Sequence, residues 1–300
     1  MTPDASRLTP HPSPTTGHLV CLHGWGLHGG IWSELAARLP EWRLLAPDLP
    51  GYGATPTVSP YTADTLADAL AAAMPPACVV VGWSLGGMVA LAWAARRPEQ
   101  VRALVLVGTT PVFVNRDGWT RGLAPGVLDG FARDLSRDYR ATLLRFLALQ
   151  ARGGEAAREV VGRLRSLVFQ RGEPHPEVLA AGLELLRSVD LRSRVGQVRC
   201  PALVVHGGHD TLCPWQAGQW LAEHLPQARL ALHERASHAP FLSHPEWFDT
   251  ALAGFLSHLH EPASSMGASA PDASRDCRSA FRPTIRARAR PMTDRTLRDE

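Results

Sequence analysis

CVVVGWSLGG, residues 78–87, joins a short apolar run to three glycines that flank a single serine. Val79–Val81 are typical of a strand buried on both faces, because branched apolar side chains fill every position. A helical pattern begins near Gly86. Gly82 and Gly86 allow the strand and the helix to approach closely, and the tight turn between them projects the Ser84 hydroxyl out of the sheet. The stretch therefore predicts a strand, a sharp turn and a helix, with Ser84 at the turn.

Similar short apolar runs recur along the chain on both sides of this stretch. The predicted strands are His18–His23, Arg43–Pro47, Cys78–Gly82, Ala103–Gly108, Ala202–Gly207 and Arg229–His233. Helical segments separate them, among them Thr62–Met74, Gly86–Arg97 and Trp215–His224. Strands that alternate with helices predict an α/β fold with a mostly parallel sheet and helices on both faces.

One interval, from Pro111 to Leu191, contains no strand-like run. It has four helical patterns instead, at Pro125–Leu135, Tyr139–Gln150, Glu155–Phe169 and Pro176–Ser188. We interpret residues 111–191 as a helical cap inserted over the carboxyl edge of the sheet, where open α/β sheets bind ligands. The core would then comprise residues 17–110 and 192–260. Residues 1–16 are predicted to form a flexible leader, and 261–300 a disordered tail, because neither could bury a core.

Composition and charge narrow the possible functions. The basic residues are all arginine, and the net charge of +3 is too small to indicate nucleic-acid binding. There is no apolar run long enough to span a bilayer and no signal-peptide pattern, so no membrane association is expected. The five cysteines are scattered and form no metal-binding or disulfide pattern. We therefore expect a cytoplasmic monomer that uses no metal and no cofactor.

A serine at such a turn is a nucleophile only if a base lies beside it. In this arrangement the acid and then the base follow the serine along the chain. Asp210, after the ALVVHG strand, and His238, in SHAP, fit that order at the same sheet edge. We predict that Ser84, Asp210 and His238 form a catalytic triad. Other histidines are alternatives for the base, namely His206, His209, His233 and His244. Asp48 and Asp64 are weaker candidates for the acid of the triad, because they precede Ser84 in the chain. Asp48 is expected to order the loop after the second strand.

The negatively charged oxygen of a tetrahedral intermediate needs hydrogen-bond donors. The loop His23-Gly24-Trp25-Gly26 follows the first strand, beside the predicted turn. We assign the oxyanion hole to the backbone N–H groups of Trp25 and Leu85. The Trp25 side chain is also a candidate wall of the acyl pocket. The alternative is that HGWG forms only a turn.

These motifs together resemble a known family. HGWG (23–26), APDLPGYG (46–53), GWSLGG (82–87), FLALQ (146–150) and SHAPFLSHP (237–245) resemble the pimeloyl-[acyl-carrier protein] methyl ester esterases of the α/β-hydrolase superfamily. The superfamily resemblance covers roughly residues 17–260. It implies a serine carboxylesterase of biotin biosynthesis that releases methanol from an acyl chain carried by an acidic acyl-carrier protein.

The resemblance also implies the residues that would contact the substrate and the carrier. The substrate contacts fall on Trp25, Ser84, Leu85, Phe146, Leu147, Ala148, Leu149, Gln150 and His238. The carrier-docking arginines fall on Arg145 and Arg158, with Arg140 and Arg163 as shifted matches. Arginine suits this role because its planar fork can bind phosphate and carboxylate groups. The alternative is that these arginines form an ordinary solvated helix face, and that Phe146 and Leu147 are ordinary cap core.

Three functional interpretations remain open at this stage. The first is the carrier-linked esterase. The second keeps the triad but changes the substrate, as in a general short-chain esterase, a C–C bond hydrolase or a menaquinone-pathway lyase. The third is a ligand receptor built on a hydrolase scaffold. The triad is common to all three, so the cap must decide among them.

Overall fold

Six strands form one parallel sheet in the computed structural model, which describes residues 17–259. The strands are β1 (His18–Leu22), β2 (Arg43–Leu45), β3 (Cys78–Trp83), β4 (Val101–Val107), β5 (Ala202–Gly207) and β6 (Ala228–His233). Their order in the sheet is β2-β1-β3-β4-β5-β6. The predicted leader 1–16 and the predicted tail 261–300 lie outside the described residues. Each strand predicted from the apolar runs is present, with ends that differ by a few residues.

Eleven α-helices accompany the sheet within residues 17–259. They are α1 (Ser33–Arg38), α2 (Ala63–Ala73), α3 (Leu85–Arg96), α4 (Pro125–Leu135), α5 (Tyr139–Gln150), α6 (Ala157–Leu167), α7 (Pro176–Ser188), α8 (Arg192–Val195), α9 (Trp215–His224), α10 (Pro240–Ser243) and α11 (Pro245–Ser257). Every residue of β3 and β5 is buried, as expected for strands covered on both faces. Among residues 17–259, no helix is long and apolar enough to cross a membrane.

The direction of chain winding reverses between β1 and β3. β1 lies between β2 on one side and β3 on the other, so the loops that leave β1 and β3 diverge at this point. Ligands of open α/β sheets bind where such loops separate, beyond the carboxyl ends of the strands. The HGWG loop after β1 and the turn at Ser84 after β3 both lie there.

Glycines let α3 begin very close to the sheet. A Cβ atom on Gly82 would lie 2.5 Å from the Gly86 carbonyl oxygen. A Cβ on Gly86 would lie 2.5 Å from the carbonyl oxygen of His23. Side chains at these positions would push the start of α3 away from β1 and β3. The glycines therefore fix the position of the turn that carries Ser84.

Helices α4–α7 occupy the predicted cap, between β4 and β5. The two ends of this insertion meet, because the Leu191 N–H donates a hydrogen bond of 2.9 Å to the Pro111 carbonyl. The cap thus leaves and rejoins the sheet at one place. Most of its buried apolar residues, among them Phe146 and Leu179, belong to the same hydrophobic cluster as the strands. Cap and sheet share one core and lie in one compact unit.

Candidate active site

Ser84 is held in a strained backbone conformation between β3 and α3. Its φ of 55° and ψ of −119° make it the one non-glycine residue with positive φ among residues 17–259. Such strain persists only where the surroundings impose it, and it is common at functional sites. The N–H groups of Gly87 and Met88 donate to the Ser84 carbonyl at 2.9 and 3.1 Å. This turn holds the serine in the position that the GWSLGG motif predicts.

His238 and Asp210 form a buried pair beyond β6 and β5. The Nδ1 atom of His238 lies 2.7 Å from Oδ2 of Asp210, and both side chains are inaccessible to solvent. The other carboxylate oxygen, Oδ1, accepts the backbone N–H groups of Leu212 and Cys213, each at 2.9 Å. The carboxylate therefore has a fixed orientation and can hold the imidazole ring in one tautomer.

The second ring nitrogen of His238, Nε2, is buried and has no hydrogen-bond partner among the described residues. The His238 main chain is anchored to the turn at the serine, because the Trp83 indole N–H donates to the His238 carbonyl at 2.9 Å. His238 is therefore fastened to the residue that precedes Ser84, and its Nε2 is available to take a proton. In unliganded enzymes the hydrogen bond between serine and base is often long and tightens when substrate binds.

The structure gives the alternative acids and bases other partners. Arginines bind the carboxylates of both earlier acids. Oδ1 of Asp64 lies 2.5 Å from Arg194, and Oδ1 of Asp48 lies 2.8 Å from Arg171. Asp48, in the loop after β2, also accepts the Gly29 N–H at 2.7 Å, which links this loop to the residues after β1.

None of the alternative histidines is paired with a carboxylate as closely as His238. His206 lies behind Asp210, with its Nε2 at 3.1 Å from the Cys213 carbonyl and 3.8 Å from Asp210, and burial lowers its pKa. His233 and His244 stack on each other, with ring centroids 3.8 Å apart. His209 is exposed.

The HGWG loop lies against the serine turn. A Cβ on Gly24 would be 3.4 Å from the Ser84 Cβ. The backbone N–H of Trp25 donates to no other group among the described residues, and Leu85 is the first residue of α3, where a helical N–H lacks an intrahelical partner. Both groups predicted to form the oxyanion hole are therefore available beside Ser84.

Cap helix α5 packs on the same loop. The Trp25 indole is buried, donates to the Leu179 carbonyl at 2.9 Å and meets the Phe146 ring edge-on at 4.7 Å. Phe146, Leu147 and Gln150 are buried, whereas Ala148 and Leu149 are half-buried. The Gln150 Oε1 atom is buried without a partner in the described residues. This part of the cap combines an apolar wall with one unsatisfied polar atom.

Comparison with known proteins identifies the family. The model of the alpha/beta hydrolase fold matches residues 17–245. The chain is 44% identical over 239 residues to the pimeloyl-[acyl-carrier protein] methyl ester esterase of Chromobacterium violaceum, covering 79% of this chain and 93% of that protein. It is 47% identical over 234 residues to the esterase of the same name from Aromatoleum aromaticum, covering 76% and 93%. The chain belongs to the pimeloyl-[acyl-carrier protein] methyl ester esterases of the α/β-hydrolase family.

A solved structure supports the fold independently. An esterase from Exiguobacterium antarcticum superimposes with a TM-score of 0.73 over 82% of this chain and 93% of that one. At 24% sequence identity, this similarity supports the α/β-hydrolase fold alone.

The four arginines that the family resemblance pointed to differ in their surroundings. Arg145 pairs with Asp134 at 2.5 Å and covers the Phe131 ring. Arg140 pairs with Glu173. Arg163 is half-buried between Glu34 and the Leu242 carbonyl, so it ties the cap to the sheet domain. Arg158 is exposed, and no hydrogen bond or ion pair of its side chain occurs within residues 17–259. Of the four, Arg158 is the most available to a partner and Arg163 the least.

Sequence reasoning missed the contacts between the cap and the loop that carries His238. The Ser237 hydroxyl lies 3.0 Å from the carbonyl oxygens of both Gln150 and Arg152. The His238 N–H donates to the same Gln150 carbonyl at 3.1 Å. Carbonyl acceptors leave no signal in a sequence, so only the three-dimensional structure could reveal these contacts.

Proposed function

We propose that this chain is a serine carboxylesterase that hydrolyses the methyl ester of pimeloyl-[acyl-carrier protein] in biotin biosynthesis, releasing methanol. The observation that carries the proposal is the buried His238–Asp210 pair, whose histidine is hydrogen-bonded to Trp83, the residue before the strained Ser84. The chain is also 44% identical to an esterase of that name. The carrier would be the macromolecular partner. We also propose a cytoplasmic location, which the four free cysteines among residues 17–259, Cys21, Cys78, Cys200 and Cys213, support, because unpaired thiols are typical of a reducing compartment.

The three side chains would act in sequence. His238 Nε2 takes the proton of the Ser84 hydroxyl as its oxygen attacks the ester carbonyl. Asp210 holds the imidazole and stabilises its charged form. The proton then passes from His238 to the methoxide oxygen, and methanol leaves an acyl-Ser84 intermediate. Water, deprotonated by His238, attacks the carbonyl carbon of this intermediate. The bond from that carbon to the Ser84 oxygen then breaks as His238 returns the proton to this oxygen, and the free acid leaves and ionises to the carboxylate.

The HGWG loop and the cap would supply the remaining parts. The N–H groups of Trp25 and Leu85 would donate to the oxygen that becomes negatively charged in each tetrahedral intermediate. The cap stretch Phe146–Gln150, with Trp25, would contact the acyl chain. The apolar surface of Phe146 and Leu147 suits its methylene groups.

A Ser84→Ala variant tests the nucleophile. It should lose at least about a thousandfold in kcat, because the residual catalysis would come from the oxyanion hole and binding alone. The measurement is methanol release from the carrier-linked methyl ester, with p-nitrophenyl butyrate in parallel. A variant that kept most of its turnover would exclude Ser84 as the nucleophile.

The same assays, applied to the unmodified protein, test which ester is the preferred substrate. The proposal expects a kcat/KM for the carrier-linked ester far above the values for free dimethyl pimelate and p-nitrophenyl butyrate. Good turnover of the free esters, with none of the carrier-linked ester, would leave the hydrolytic mechanism intact and replace this function by that of a general esterase.

The carrier would dock on the arginines of the cap. A double variant, Arg145→Ala with Arg158→Ala, should raise the KM for the carrier-linked ester about tenfold and leave p-nitrophenyl butyrate unaffected. The effect should shrink at high salt, since exposed charges are screened. Arg102→Ala is the matched control. This exposed arginine lies at the start of β4, at the amino ends of the strands and so on the side of the sheet opposite to Ser84. Equal losses on both substrates would overturn the docking role.

A further inference from the structure

Ser237 lies at the junction of two parts of the molecule that the reaction must bring together. On one side it precedes His238, whose imidazole contacts Asp210. On the other it faces the end of α5, whose last residue, Gln150, belongs to the stretch proposed to contact the acyl chain. Its side chain is buried, and its hydroxyl lies 3.0 Å from the carbonyls of Gln150 and Arg152.

The His238 backbone is held from two opposite directions. Its carbonyl accepts the Trp83 indole N–H at 2.9 Å, which fixes it to the serine turn. Its N–H donates to the Gln150 carbonyl at 3.1 Å, which fixes it to the cap. Ser237 adds a second attachment on the cap side. The position of the imidazole is therefore determined by the cap as well as by the sheet.

Packing around Ser237 is tight. A Cβ on Gly154 would lie 3.1 Å from the Ser237 Cβ and 3.3 Å from its backbone nitrogen. The crevice between these residues, Val160 and Ser243 has no room for a water molecule. Water therefore cannot take over the contacts of the hydroxyl while the crevice keeps this shape. Loss of the hydroxyl would leave the two cap carbonyls with fewer donors.

We propose that Ser237 is a positioning residue, whose hydroxyl fastens the loop carrying His238 to cap residues Gln150–Arg152 and so aligns the base with Ser84. The inference rests on the proposed function, because it assigns Ser237 a part in the same reaction. Ser237 touches neither the substrate nor the reacting atoms. It acts through the position of His238, and displacements of about 1 Å at a catalytic group can cost about a hundredfold in rate.

The test compares two variants that disturb this junction from opposite sides. Ser237→Ala removes the hydroxyl, and Gly154→Ala adds a methyl group that presses on Ser237. Both should lower kcat for p-nitrophenyl butyrate by about tenfold with little change in KM, since the base is displaced and the binding surface is kept. Ser237→Thr, which restores a hydroxyl, should recover part of the kcat lost in Ser237→Ala.

Two matched controls separate positioning from general damage. Ser243→Ala removes a hydroxyl that contacts the Ala239 carbonyl, within its own helix turn, and the neighbouring His244 side chain. Gly162→Ala adds a methyl group where no heavy atom lies within 4 Å. Both should keep kcat within about twofold.

The split between kcat and KM, together with the partial recovery in Ser237→Thr, is a readout that a purely structural role would not move. Unchanged kcat in Ser237→Ala, or equal kcat losses in Ser237→Ala and Ser243→Ala, would overturn the inference. Failure of the proposed function has a different signature, namely no activity of the unmodified protein on the carrier-linked ester while p-nitrophenyl butyrate still reports on Ser237.

Discussion

At the scale of single residues, His23 links the HGWG loop to the chain after β2. Its Nε2 accepts the Leu49 N–H at 2.9 Å, and its Nδ1 lies 2.9 Å from the Gly24 carbonyl. These partners require a neutral ring with its proton on Nδ1. Burial lowers the pKa of His23 to about 4, against the opposing effect of the Gly24 carbonyl. A charged His23 would set an N–H against the Leu49 N–H and disturb the loop beside Ser84.

This depressed pKa predicts a loss of stability in mild acid. The unfolded chain protonates His23 near its ordinary pKa of 6.5, whereas the folded chain resists protonation down to about 4. Between these values the unfolded state binds more protons, so the free energy of unfolding falls as the pH is lowered. A His23→Gln variant should be less stable than the unmodified protein at pH 7.5. The difference should shrink by about 2 kcal/mol at pH 5.

Denaturant titrations at the two pH values measure this difference. His175→Gln, at an exposed position before α7, controls for the loss of an imidazole. If the free energies of unfolding of the unmodified protein and of His23→Gln differ by the same amount at pH 7.5 and pH 5, the proposed effect of His23 protonation on stability is contradicted.

At the scale of elements, the cap is tied to the sheet domain by ion pairs as well as by apolar packing. Arg171, which follows α6, pairs with Asp48, which follows β2, at 2.8 Å. Asp48 is almost fully buried, and it also accepts the Gly29 N–H. Arg163 makes the second connection, with Glu34 at the start of α1. Both connections join α6 and its following loop to the region after β1 and β2.

Replacement of Arg171, whose partner Asp48 is buried, should lower the free energy of unfolding more than replacement of an arginine whose partner is exposed. In Arg171→Ala the buried Asp48 carboxylate loses its cation, so the free energy of unfolding should fall by about 1–2 kcal/mol. Arg187→Ala is the control, because Arg187 pairs with Glu184 on the exposed face of α7 and such pairs contribute less than about 1 kcal/mol. Denaturant titration compares the two variants. Equal and small decreases in the free energy of unfolding of the two variants would mean that the ion pair of Arg171 with Asp48 does not stabilise the fold more than a surface pair does.

At the scale of the whole molecule, periodicity in the sequence predicted the sheet and the cap helices. The strands could be predicted because burial on both faces leaves a continuous apolar run, and the Cys78–Gly82 run lies within β3. Four helices, among them α5 and α9, have the predicted bounds. Ser84, Asp210 and His238 could be nominated because each follows a strand at the carboxyl edge.

Other features depend on contacts between distant parts of the chain. Ser237 and Gln150 are 87 positions apart, and the acceptor is a backbone carbonyl that any residue type would supply. Sequence reasoning likewise placed Arg158, a direct match to the family, and Arg163, a shifted match, in one set of docking arginines. Their difference arises because Glu34, far away in the chain, lies beside one of them. Local patterns carry no information about which acids a fold brings together.

The hydrogen bond between Leu191 and Pro111 makes the cap a module that the chain enters and leaves at one place. A module of this kind can gain, lose or exchange helices while β4 and β5 keep their register, so substrate choice can evolve apart from the hydrolytic chemistry. The carbonyls that the cap presents to Ser237 set a limit on that freedom. A cap transplanted from a relative would have to bring an acceptor to the same place, or the host serine would have to change with it.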